Sequence, residues 1–110
     1  MFEISALARE GLDPLFARHR LHALVAPTGS TAWLTDPVLG DHFVGGGFGT
    51  PLAVAGYPHL TVPMGLASGL PVGLSFGGPA FSDARLLALG HAYERERGPL
   101  PLPALVATHP

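Results

Sequence analysis

The chain has 110 residues, enough for one small domain that buries roughly 65% of its unfolded surface on folding. Charged residues make up 13% and apolar residues 47%. An ordinary soluble domain is about 25% charged, so an oligomer or a further partner is expected to cover part of this surface. Cysteine and lysine are both absent, and the net charge is −2. The first absence excludes disulfides, thiolate metal sites and a cysteine nucleophile. The basic residues, Arg9, Arg18, Arg20, Arg85, Arg95 and Arg97, are too scattered to form a stripe for nucleic acid.

Residues 3–19 predict a helix, with Ile4, Leu7, Ala8, Leu12, Leu15 and Phe16 recurring on one face. Gly11 and Pro14 predict a break near its middle. Residues 22–27 form a short apolar run closed by Pro27 and Gly29, the pattern of a buried strand in a largely parallel sheet. Residues 28–49 are rich in breakers and poor in periodicity, which marks a long functional loop. Thr50 and Pro51 then read as cap and first residue of a short helix over 51–55, ended by Gly56.

Alternation predicts two strands, 60–64 and 70–76, joined as a hairpin by the five residues 65–69. Pro63 places an edge, a bulge or an end in the first of them. A final helix over 83–96 has Ser82 as its cap, Asp83 in its first turn and a stripe of Leu86, Leu87, Leu89, Gly90 and Tyr93. Gly98-Pro99 stops it, and residues 99–110 read as a Pro-rich tail of the same single domain. The fold class is therefore α/β, a small mixed sheet with three helices. No apolar run approaches the ~20 residues of a membrane span. The first residues lack the pattern of a secretory signal, which with the absence of cysteine points to the cytoplasm.

Residues with chemical potential are few. Gly45-Gly46-Gly47-Phe48-Gly49-Thr50 precedes a helix and offers backbone N–H groups to an anion, but it matches neither a phosphate loop nor a dinucleotide fingerprint. None of the serines sits in a nucleophile-elbow motif, and caps, turns and strand faces account for them. His19 and His22 stand at a helix end, and no convergent set of three or four ligands is visible for zinc. Asp41-His42-Phe43, in the long loop, is the best local candidate for a binding role.

Several of these segments together resemble one family. Leu21-His22-Ala23-Leu24-Val25-Ala26-Pro27-Thr28 resembles a strand of the amidase-signature amidases, with His22 where Asp is usual. Gly40-Asp41-His42-Phe43 is similar to a loop motif of bacterial members like the peptide amidases. The runs Thr50–Pro58, Leu60–Gly65, Gly69–Phe76 and Ser82–Glu94 resemble the family's short helix, hairpin and last helix. The resemblance implies a C-terminal segment of an amidase, carrying part of a mixed sheet flanked by helices. It implies carboxamide C–N hydrolysis through an acyl-enzyme as the parent reaction, with no metal or cofactor. It places Asp41, Phe43 and Thr50 at the substrate pocket.

The family's machinery is a lysine and two serines that lie upstream of this segment, so the chain alone is expected to be catalytically incomplete. The expected partner is a missing N-terminal amidase portion or further copies in a homo-oligomer. An autonomous interaction module is the second expectation. A small metal-dependent hydrolase using His42 with other histidines is the third.

Overall fold

A computed structural model describes residues 2–41 and 47–104. Within them run α1 (Phe2–Arg18), β1 (Leu24–Pro27), β2 (Thr35–Asp36), β3 (Gly40–Asp41), α2 (Gly49–Ala55), β4 (His59–Ala67), β5 (Leu70–Gly77) and α3 (Asp83–Arg97). One sheet has the order β1-β5-β4, and β2 and β3 pair separately. The α/β class with three helices is as read from the sequence. Of the expected Pro-rich tail, residues 105–110 lie outside the described residues.

The centre is the β4–β5 hairpin. Its register sets Leu60 opposite Phe76, Thr61 opposite Ser75 and Val62 opposite Leu74. Strand alternation then puts Leu60, Val62, Leu74 and Phe76 on one face and His59, Thr61, Gly73, Ser75 and Gly77 on the other. The connection is shorter than expected: Ala67 pairs with Leu70, so only Ser68 and Gly69 form the turn. Both have positive φ, 53° and 78°, as the tight hairpin turns that match strand twist require. Serine rarely takes that conformation, so its type does not mark the turn, and the strands extend further than the glycines of 65–69 indicated. The register slips between Pro63 and Gly65, a bulge on an edge strand beside the proline that cannot donate.

Helix α3 covers the apolar face. Val62, Phe76 and Leu86 form a buried cluster, with Leu60, Leu74, Leu89 and Tyr93 packed around it. A Cβ on Gly90 would stand 2.5 Å from Leu60, so glycine there sets how closely helix and sheet approach. Leu87, expected in this stripe, is exposed. Ser82 precedes the helix but its hydroxyl donates back to the Pro79 carbonyl at 2.7 Å instead of capping it. Arg97, in the last turn, reaches the Pro63 carbonyl at 2.5 Å and ties the helix end to the bulged strand.

On the opposite face, α2 lays Leu52 over Gly77, where any side chain would collide with it. Phe16, Leu52, Ala55 and Tyr57 form the second cluster, joined by Ala8, Leu12, Leu21 and Leu24. Burying Leu52 alone is worth about 1.5–3 kcal/mol. The cap of α2 lies two residues before the expected one: Phe48 holds the cap position and Thr50 lies inside the first turn. Gly56, at φ 78°, closes the helix as expected by returning its N–H to the last turn.

Helix α1 is continuous through Gly11 and Pro14. Pro14 stands on an exposed side, where water can satisfy the carbonyl it leaves free. Only Ala8, Leu12 and Phe16 of its predicted face turn inward, while Ile4, Leu7 and Leu15 are exposed. Strand β1 also differs from expectation. It pairs antiparallel with β5 at the edge of the sheet, and the described residues contain no parallel partner for it. Val25 on its outer side is exposed, so the run that reads as doubly covered is covered here on one side only. No helix of the described residues is long and apolar enough to cross a membrane.

Tyr57 ties α1 to the turn after α2. Its hydroxyl donates to Asp13, while Arg9 donates to the Ala55 carbonyl at 2.9 Å. Burial raises the Tyr57 pKa above its ordinary value of 10.0, and the Asp13 hydrogen bond and charge raise it further. A raised folded-state pKa contributes stability that is present below the unfolded value and lost as pH rises through the folded one. Without lysine, tyrosines are the side chains that titrate in that range. We therefore expect unfolding free energy to fall above about pH 10, and Tyr57→Phe to remove much of that dependence. Urea titrations between about pH 8 and 11 check it; an unchanged slope in the variant would contradict the assignment.

Candidate functional site

The sheet face left free by α2 carries a polar cluster. Ser75 is its hub, 0% exposed, in the middle of the central strand. Its Oγ lies 2.7 Å from Thr28 Oγ1, 2.6 Å from His59 Nε2 and 3.3 Å from Thr61 Oγ1. Thr28 follows β1 directly, so the three hydrogen bonds join all three strands. Gly73 makes room for the threonines: a Cβ there would stand 2.8 Å from both Thr28 Oγ1 and Thr61 Cγ2. Among the described residues, no buried side-chain polar atom lacks a partner.

The cluster also holds the chain that enters α2. The Phe48 N–H donates to the Thr28 carbonyl at 3.2 Å, and the Phe48 ring meets the His59 ring edge-on at 5.7 Å. Gly49 passes so close that a Cβ there would come within 2.8 Å of the His59 ring. The end of the long loop is thus seated on the polar sheet face through Thr28 and His59.

A serine 2.6 Å from an imidazole is the contact from which serine nucleophiles are activated. Ser75, however, is fully covered and its oxygen is shared with two threonines. In this chain the group acts as a clamp between strands, with no path for a substrate carbonyl to the hydroxyl. Motif and spacing miss it because His59, Thr61 and Ser75 meet only through hairpin register. The signal lies in the alternation of both strands, once Thr61 is set opposite Ser75.

The three positions assigned to a substrate pocket fall differently. Asp41 is exposed and ends β3, where it faces Thr35 and lines a shallow surface depression with Ala32 and Trp33. Thr50 is exposed in the first turn of α2. Phe43 lies outside the described residues, as do His42, Gly45 and Gly46. Among the described residues, no three His, Asp or Glu side chains come together as a metal would require.

An antiparallel hairpin with a helix on one face, and a loop and short helix held on a hydroxyl-lined opposite face, defines an α/β scaffold. Its relatives say which. The chain is 53% identical over 53 residues to a glutamyl-tRNA(Gln) amidotransferase polypeptide of Mycobacterium ulcerans, covering 46% of this chain and 11% of that protein. It is 31% identical over 94 residues to a probable amidase of Arabidopsis thaliana, covering 84% of this chain and 15% of the plant protein. The structure superposes on native peptide amidase from Stenotrophomonas maltophilia with a TM-score of 0.74 and 48% identity, over 86% of this chain and 19% of that one. No protein-family model matches the chain. The chain corresponds to a C-terminal segment of the amidase-signature family. It spans only 11% to 19% of the length of these relatives.

The clamp has a direct test in stability. Ser75→Ala removes the shared partner of Thr28, Thr61 and His59, and is expected to cost about 1–3 kcal/mol. Chemical denaturation of the two proteins measures it; equal midpoints would show that the cluster holds nothing together.

Proposed function

We propose that this chain is the C-terminal segment of an amidase that hydrolyses carboxamide C–N bonds, and that it is inactive by itself. The observation that carries this reading is the match to peptide amidase, at 48% identity and a TM-score of 0.74, in a chain with no lysine. The lysine that the family resemblance calls for is not among these 110 residues. Ser75 does not act as one of the family's serines, because it is buried and its hydrogen bonds are all spent on the sheet.

On this reading the segment contributes scaffold and one wall of the substrate pocket. Asp41 and Thr50 are open to solvent and able to face such a pocket, and Phe43 belongs with them by resemblance. The Thr28–His59–Ser75 clamp would hold Phe48 and Gly49, and so Thr50 after them, against the sheet. The absence of cysteine favours a reducing compartment, and we place the protein in the cytoplasm.

The test is hydrolysis of a peptide carboxamide. The purified chain is expected to release no ammonia above the buffer rate. Co-expression with a Stenotrophomonas maltophilia peptide amidase shortened by the matching segment is expected to restore turnover. Turnover by the chain alone would overturn the claim of inactivity, and failure of every complementing combination would count against the amidase reading.

A further inference from the structure

Helix α2 has seven residues, too few to hold a helical shape in water unaided. Its position comes from what it rests on. Two of its contacts with the sheet are too close for any residue but glycine. At Gly49, where the helix begins, a Cβ would stand 2.8 Å from His59 Cε1 and 2.9 Å from His59 Nδ1. One turn further on, Leu52 lies over Gly77, where a Cβ would stand 2.3 Å from Leu52 Cδ1. His59 and Gly77 stand directly opposite each other across β4 and β5. The helix is thus seated on one facing pair, with an imidazole under its start and bare backbone under its middle. Thr50 lies between these two contacts in the chain and is exposed.

The imidazole is itself fixed from the side away from the helix. His59 Nε2 lies 2.6 Å from the buried Ser75 Oγ, and Thr61 Oγ1 is 3.5 Å from the same nitrogen. The Phe48 ring meets the imidazole edge-on at 5.7 Å. With Nε2 held at Ser75, the Cε1–Nδ1 edge faces Gly49, and the ring cannot swing aside without breaking the hydroxyl contact. His59 belongs to neither buried apolar cluster and is exposed overall, so the packing of the core does not depend on it.

We propose that His59 is a positioning residue of the amidase reaction: its ring sets the height of the α2 start above the sheet, and through it the place of Thr50 in the substrate pocket. This rests on the amidase reading and names the side chain through which the strand face reaches that pocket. The part played by His59 is indirect, exerted through Gly49 and Thr50. A pocket wall set in this way holds substrate and transition state alike, so displacing it raises KM and leaves kcat nearly as it was.

The whole chain is co-expressed with the Stenotrophomonas maltophilia peptide amidase shortened by the matching segment, and peptide-carboxamide hydrolysis is followed at varied substrate concentration. His59→Ala should raise KM roughly tenfold with kcat within about twofold of the parent. His59→Gln, which can still reach Ser75 with its side-chain amide, should fall between the two. Gly49→Ala should also raise KM, because its methyl meets a ring that Ser75 holds in place. In Gly49→Ala/His59→Ala the methyl has room, so the KM effects should combine to less than their product. Should a variant give no active pair, amide exchange of the isolated chain decides: the Phe48 N–H, which donates to Thr28, should exchange roughly tenfold faster in His59→Ala while α3 is unchanged. A parent pair without turnover removes the amidase reading and the inference with it. Turnover in the parent pair with an unchanged KM in His59→Ala leaves the amidase reading standing and overturns the role of His59. A fall in kcat at constant KM, or unchanged Phe48 exchange, overturns it as well.

Discussion

Every face of this molecule is set by the register between β4 and β5. Thr61 stands opposite Ser75 and Val62 opposite Leu74. A slip of one residue would turn Val62 and Phe76 away from α3 and bury His59 and Thr61 against it. The two-residue turn at Ser68 and Gly69 holds that register from one end. The Ser75 hydrogen bonds hold it from the middle, because Thr28, His59 and Thr61 can meet one hydroxyl only in this alignment. One side of the hairpin thereby becomes a core with α3. The other becomes a floor for α2 and for the end of the long loop.

The sequence was most legible where a period and a stop signal agreed. Helix α3 shows this, with its stripe ended by Gly98, and so does Gly56 at the end of α2. The hairpin strands were legible from alternation, but the turn between them was not, because Ser68 adopts a backbone region that its side chain does not advertise. Caps were overread: Ser82 and Thr50 are of the right type, yet Ser82 bonds backward to Pro79 and Thr50 falls inside its helix. The apolar run of β1 and the outward residues of α1 were assigned to burial that the described residues do not supply. Their composition suits a thicker fold than this segment makes.

The polar clamp was invisible for a different reason. Its members come from three strands and share no motif, so no linear pattern brings them together. Asp41 and Thr50, singled out by resemblance, sit on separate elements, β3 and the first turn of α2. A well-packed hairpin and helix stand beside a strand pair, β2 and β3, that touches no other helix or strand among the described residues.

Amide hydrogen exchange tests that contrast most directly. In the isolated chain, the amides of β5 and α3 should exchange slowly, while those of Thr35–Asp41 exchange near the unprotected rate. Ser75→Ala should speed exchange in β5 by roughly tenfold and leave Thr35–Asp41 nearly unchanged. Slow exchange throughout Thr35–Asp41, or protection of β5 that does not depend on Ser75, would contradict the account.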